Sequence, residues 1–193
     1  MVMSNELTKK LGIRYPIIQG PFGGGLSSIE LLSTVSNLGG LGSYGAHHLP
    51  AAAISQLIAD IRDRTSEPFA INLWVSNRDY FIDGVSRSDF DDYRARFKPL
   101  YEAAGAESPD YTEAFSHDFD EQVAAAIDAR VPVLSFVFGV PGPHIIKACQ
   151  DKGIITIGTA TTVDEAVLLE ARGIDIVVAT GFEAGGHRVS FLK

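Results

Sequence analysis

Cysteine occurs once in the chain, at Cys149, so neither an internal disulfide framework nor a cysteine-rich metal site is open to it. Within HIIKACQ, read as helix, that thiol is an ordinary packing residue. Basic runs are missing as well. The 16 Lys and Arg stand against 24 Asp and Glu, a formal net charge of −8, and no stretch gathers enough cations to neutralise several phosphates. No nucleic acid and no membrane are expected as partners; small molecules are the ligands to look for. No apolar run reaches the roughly 20 residues that a membrane-spanning helix needs. MVMSNELTKKLGIRYP carries no apolar stretch ahead of a cleavage site, so a cytoplasmic location is the expectation. The five histidines show no metal-ligand spacing, and no metal site is expected: His47 and His48 are adjacent and would leave a strand end toward opposite sides. His117 and His144 sit where an exposed position and a helix start are expected.

What the chain does contain is an alternation of short apolar runs with longer amphipathic segments over 193 residues, enough for one sizeable core. The runs are YPIIQG (15–20), LGSYGA (41–46), FAINLWV (69–75), VPVLSFVFG (131–139), ITIGTA (155–160) and DIVVAT (175–180), read as six strands. Helices are expected from Ser27 or Ser28 to Asn37, from Pro50 onward, and over 119–129, 143–152 and 162–172. Ser28 suits a helix N-cap, and Thr162 with Glu165 three residues on matches a capping box. The later runs are continuously apolar, as in a parallel sheet covered on both faces. Between Ser76 and His117 the alternation lapses into a polar, aromatic-rich stretch, read as an insertion with one or two helices over roughly 88–104. The pattern alone admits both a doubly wound open sheet and an α/β barrel, whose complete form takes eight strands and about 250 residues.

In either fold the loops leaving the C-terminal strand ends build the site. Five of these six loops contain glycine, which lets backbone approach a flat ligand where a Cβ would intervene. PFGGGLSS does not fit the dinucleotide fingerprint, and no P-loop is present. The last loop, GFEAGGHR, places His187 beyond a glycine pair after a buried strand, so its imidazole is expected above the sheet, able to serve as general base or as hydrogen-bond donor to a developing anion. Glu183 either orients that imidazole or faces solvent.

Taken in order, LGIRYPIIQGPFGGG, VSNLGGLGSYGA, PFAINLWV and IITIGTATTVDEAVLLEARGIDIVVATGFEAGGHR resemble the nitronate monooxygenases, formerly 2-nitropropane dioxygenases, over nearly the whole chain. Flavin-dependent enoyl-ACP reductases share the E-A-G-G-H loop but usually carry Met-Ala-Trp after the first glycine pair, where this chain reads GPFGGG. The resemblance implies a TIM-type (βα)8 barrel, here a single domain over 1–193 with the 76–117 insertion, holding six strands and lacking the last two. It implies FMN as cofactor, with Pro21, Phe22, Gly23, Asn72, Thr180, Glu183, Ala184, Gly185 and Gly186 around it and His187 as the catalytic base or nitronate-stabilising residue. The substrates would be a nitronate or nitroalkane and O2, giving a carbonyl compound and nitrite. Thr180 departs from the family's glutamine, and the family's phosphate-binding loops follow strands seven and eight. A homo-oligomer or partner chain covering open barrel edges is therefore expected. The alternatives are an enoyl reductase-like oxidoreductase and a non-catalytic fragment of the fold.

Overall fold

The computed structural model describes residues 5–23, 25–75, 86–111 and 117–192. Gly24 of the first loop, Ser76 and most of the flanks of the 76–117 insertion lie outside the described residues. Two compact units emerge, Met1–Ser76 with His117–Lys193, and Asn77–Ser116.

The larger unit is a five-stranded parallel sheet in strictly sequential order: β1 (Gly42–Gly45), β2 (Phe69–Trp74), β3 (Val133–Val137), β4 (Ile155–Ala160) and β5 (Ile176–Ala179). A doubly wound sheet reverses its order at a switch point; this one does not. Its helices are α1 (Glu6–Leu11), α2 (Ile29–Asn37), α3 (Ala51–Arg62), α5 (Phe119–Asp128), α6 (Pro143–Asp151) and α7 (Val163–Ala171). Pairing proceeds without a bulge, Gly45 opposite Asn72, Asn72 opposite Ser135 and Ser135 opposite Ile157. Because side chains alternate across a strand, Ile71, Leu73, Leu134 and Phe136 face the helical layer, where they pack with Ile54 and Ile58 of α3 and Val123 of α5. Full burial of each such side chain contributes about 1.5–3 kcal/mol.

The opposite face is closed at one end by α1. Asn5 and Thr8 cap this helix reciprocally, and Gly12 ends it in the left-handed conformation at φ 70°. Leu11 and Leu7 then pack on Leu41, Ala70, Val133 and Ile157 at the strands' N-terminal ends. An ion pair from Lys10 to Asp175 (2.9 Å) ties α1 to the start of β5, and Asp175 accepts from the amide and hydroxyl of Thr156.

Of the six expected strands, five form among the described residues. Of YPIIQG only one bridge forms, Ile18 beside Leu41. The Gln19 side chain takes over the ladder: its Oε1 accepts from Ser43 N (3.1 Å) and its Nε2 donates to Ser43 O (3.0 Å), the two groups a further strand residue would have paired. A carboxamide can do this because it carries an acceptor and a donor on one planar group. The Thr162–Glu165 capping box is also half correct. Thr162 Oγ1 accepts from Glu165 N (3.2 Å), but the Glu165 carboxylate, fully buried, turns away from the cap. Its Oε2 accepts from the amide and hydroxyl of Thr161 (2.7 and 2.8 Å), and its Oε1 from the amides of Phe191 and Leu192 (2.6 and 3.0 Å).

In the smaller unit, α4 (Arg87–Ala104) starts from a Ser86–Asp89 capping box and ends at Gly105 with φ 64°. Within that unit Phe90 meets the Tyr111 ring edge-on, and Arg94 lies 3.6 Å from Asp110. Among the described residues, no helix is long and apolar enough to cross a membrane. Cys149 is buried on α6, and burial followed by the Asp175 charge pushes its thiol up to about 11, away from thiolate chemistry.

Two stability outcomes follow from this packing. A Cβ on Gly42 would press on the Leu32 backbone carbonyl of α2, so Gly42→Ala should cost about 1–3 kcal/mol by overpacking, read as a lower urea midpoint. For Glu165, burial pushes the carboxyl up, but the hydrogen bonds from Leu192, Phe191 and Thr161 outweigh it and hold the group down to about 2, from an ordinary 4.5. A depressed acid stabilises the fold above its unfolded value and loses that contribution as protons are taken up. The stability gap between the parent and Glu165→Gln should therefore be full above about pH 4.5 and shrink as pH falls toward 2; a gap constant across that window would contradict the assignment.

Candidate functional site

Alternation along the strands puts two kinds of side chain on the concave face. Toward the N-terminal ends stand Leu41, Val133, Ile155 and Ile176, capped by α1. Short polar side chains, Ser43 low on β1 and Asn72, Ser135, Thr159 and Thr180 further along, line the space that is left. The result is a cavity of about 740 Å³, floored by Leu41, Ala70 and Ile157 and rimmed by the loops after the strands. No Lys, Arg, Asp or Glu is among the described residues that line it.

The first loop forms one wall through Gly20, Pro21, Phe22 and Gly23. It lies so close to β1 that a Cβ on Gly45 would come 2.9 Å from Pro21 O, and a Cβ on Gly23 would come 3.1 Å from His47 Cε1. Asn72, nearly fully buried, donates through Nδ2 to Ser135 Oγ (2.9 Å) and Ser135 O (3.3 Å), which fixes the plane of its amide on the cavity wall.

A second wall is aromatic. His47 lies flat on the Trp74 indole, ring centroids 3.7 Å apart and planes 5° from parallel. Trp74 meets Phe138 edge-on at 4.8 Å and His187 edge-on at 5.3 Å. Phe138 follows β3 with φ 65°, a left-handed conformation costing a bulky residue on the order of 1–3 kcal/mol, and this turns its ring toward the others. His47 Nδ1 is, among the described residues, the one buried side-chain nitrogen or oxygen without a hydrogen-bond partner. Desolvation, then the neighbouring His48 and His187, lower the pKa of His47, so its ring is neutral near pH 7.

His187 is carried on the loop after β5, whose residues 181–188 are all exposed. Of the site residues read from the sequence, the structure brings Pro21, Phe22, Gly23, Asn72, Thr180, Gly185, Gly186 and His187 to this one cavity. Glu183 and Ala184 are not among the residues lining it. The Glu183 carboxylate folds back over Gly181, within 2.8 Å of where a Cβ would stand there, and no hydrogen bond joins it to His187 among the described residues. Gln19, His47, Trp74 and Phe138 were not picked out from the sequence. Trp74 and Phe138 look like core residues in apolar runs; the pairing register turns Trp74 to the cavity, and Phe138 joins it just past β3 in a left-handed conformation. No group of three or more His, Cys, Asp or Glu suited to a metal ion occurs among the described residues.

With this geometry in hand, comparison with known proteins is specific. Residues 4–192 match the family profile described as nitronate monooxygenase. The chain is 42% identical over 193 residues to a probable nitronate monooxygenase of Staphylococcus haemolyticus, covering 100% of this chain and 52% of that protein. It is 39% identical over 189 residues to a probable nitronate monooxygenase of Staphylococcus aureus strain MSSA476, covering 98% and 52%. The chain thus spans about half the length of the curated relatives it matches. Among solved structures, nitroalkane oxidase from Streptomyces ansochromogenes superposes with a TM-score of 0.78 at 32% identity, over 97% of this chain and 51% of that one. FabK from Thermotoga maritima follows with 0.69 at 24% identity, over 96% and 46%, a likeness of fold alone. A profile match from residue 4 to residue 192 takes in every strand and every loop around the cavity, and on it the chain belongs to the nitronate monooxygenase family.

Proposed function

We propose that the cavity seats the isoalloxazine ring of FMN and that the chain serves the oxidative denitrification of alkyl nitronates, with His187 as the group that handles the substrate proton or the nitronate charge. One observation carries this reading: His187, Asn72, the glycine-bearing first loop and Gly185–Gly186 converge on a single cavity at the C-terminal strand ends. Its volume of about 740 Å³ lies within the range of small-molecule sites, roughly 300–1,000 Å³. A Cβ at Gly185 would meet no atom within 4 Å, so the backbone there borders open space of the kind a flat ring could occupy. The lining fits the ring and not the phosphate, since no Lys or Arg is among the described residues that line it.

When bound, FMN would supply the electron acceptor and the route to O2, chemistry that no side chain here provides. The chain's own part is binding and proton handling. A neutral nitroalkane gives up its α-proton to an imidazole nitrogen of His187, leaving a planar nitronate whose charge the resulting imidazolium neutralises. Trp74 and Phe138 flank that imidazole edge-on, and the neutral His47 ring does not compete for the proton. Asn72, held by Ser135, and Gln19, held by Ser43, offer polar atoms of fixed orientation to the heteroatom edge of a flat ligand.

Two measurements test the reading. Gly185→Val should leave the urea midpoint of the free protein within about 0.5 kcal/mol of the parent, because nothing lies within 4 Å of the added Cβ. It should weaken FMN binding by roughly tenfold or more, about 1.4 kcal/mol, followed by quenching of flavin fluorescence; undiminished binding would remove the cofactor from this cavity. In the flavin-loaded protein, His187→Asn should lower nitrite release from a neutral nitroalkane by about a hundredfold, the usual size of a general-base contribution, and far less from a pre-formed nitronate. Equal losses on both substrates would rule out proton abstraction by His187.

A further inference from the structure

The loop that carries His187 has little internal structure. Its only described backbone bond is from Ala184 N to Gly181 O (3.3 Å), and Gly186 adopts φ 85°. What defines its course is the attachment at each end. On the strand side Thr180 N donates to Ala160 O (2.9 Å). On the far side the chain is held by the Glu165 carboxylate of α7 through the amides of Phe191 and Leu192, while the Phe191 ring packs on the Ala160–Leu169 cluster and Val189 is buried against the cavity. Thr161 extends the attachment. Its hydroxyl donates to Glu165, which leaves it to accept from Ser190 Oγ at 2.7 Å.

We infer that Glu165 is a positioning residue for His187: by gripping residues 190–192 against the start of α7, it sets where the imidazole stands relative to Trp74. The inference rests on the reading of His187 given above, yet concerns a residue that touches neither cavity nor ligand. A carboxylate suits the task because its two oxygens accept four hydrogen bonds at once, two from each strand of chain being joined, and charged acceptors make the stronger bonds. A neutral glutamine keeps one acceptor oxygen and turns a donor toward partners that are themselves donors. A small displacement here matters, since about 1 Å of misplacement can cost a site up to a hundredfold in rate.

The test uses the indole of Trp74, which touches two imidazoles and so contains its own control. In the labelled protein, NOEs from Trp74 ring protons to His47 report the intact wall, and those to His187 report the loop. In Glu165→Gln the Trp74–His187 NOE should fall roughly threefold, the sixth-power effect of about a 1 Å displacement, while the Trp74–His47 NOE holds. Thr161→Val, which removes only the hydroxyl, should give a smaller change in the same direction and supplies the reading if Glu165→Gln does not fold. Retention of the Trp74–His187 NOE in a folded variant, or equal loss of both NOEs, would overturn the inference. Neither measurement needs flavin or turnover, so its failure is separate from failure of the proposed activity.

Discussion

In-register parallel pairing of five short strands is the constraint on which the rest of this molecule depends. With no bulge between β1 and β5, every second residue is committed to the concave face, and residues at equal height form rows across the sheet. The row Ser43, Ala70, Val133 and Ile155 packs toward α1, and in the next row, Asn72, Ser135, Ile157 and Ile176, the short polar pair on β2 and β3 leaves space open above it. The cavity is thus a consequence of residue size at fixed register. A slip of one residue would send Ile71, Leu73 and Phe136 into it and turn Asn72 into the helical layer. Asn72 reaches Ser135 because the two are paired residues, and Trp74 stands one row higher, opposite Val137.

Around this rigid base the site accumulates features that a purely structural core would avoid. Phe138 is held in a left-handed conformation, His47 is packed neutral with an unpaired Nδ1, and Gly23 and Gly45 give up side chains so that the first loop can lie on the sheet. Each costs stability of order 1 kcal/mol or more. All cluster at the C-terminal strand ends, where strained and unsatisfied groups mark a ligand site more often than a defect. At the opposite end the capped α1, the Lys10–Asp175 pair and close apolar packing hold the sheet together.

The alternation of strands and helices was legible because strands covered on both faces read as continuous apolar runs, as in FAINLWV and VPVLSFVFG, and because caps such as Ser28 and Thr162 mark helix starts. Three features were not. Helix α1 has only six residues, too few for periodicity to register, although Asn5, Thr8 and Gly12 carry its capping signals. YPIIQG reads as a strand, but Gln19 replaces the next rung with its side chain, a substitution visible only once Ser43 is beside it. Glu165 sits at the position of a capping-box residue, yet partners 26 and 27 residues away outbid the local amide. The site divides in the same way. His187 and the glycine loops follow from strand-end position and Asn72 from the family resemblance, whereas the His47–Trp74–Phe138 wall depends on which face of its strand each ring occupies and on one unusual φ.

A cavity without charged walls also constrains how charge is handled inside it. A nitronate formed in such a space finds no fixed cation among the described lining side chains, so on the proposed reading its charge is balanced where the proton went, on His187. A permanent Lys or Arg at the rim would neutralise an incoming anion equally well, but it could not first act as base toward the neutral nitroalkane, since it holds its proton near neutral pH. An imidazole serves both ends of that sequence. Its usefulness then depends on standing close enough to the substrate to exchange one proton, and the exposed loop that carries it supplies few contacts of its own for that purpose. The burden falls on the attachment of the loop, which makes the buried carboxylate of Glu165, outside the cavity, part of the physical account of the site.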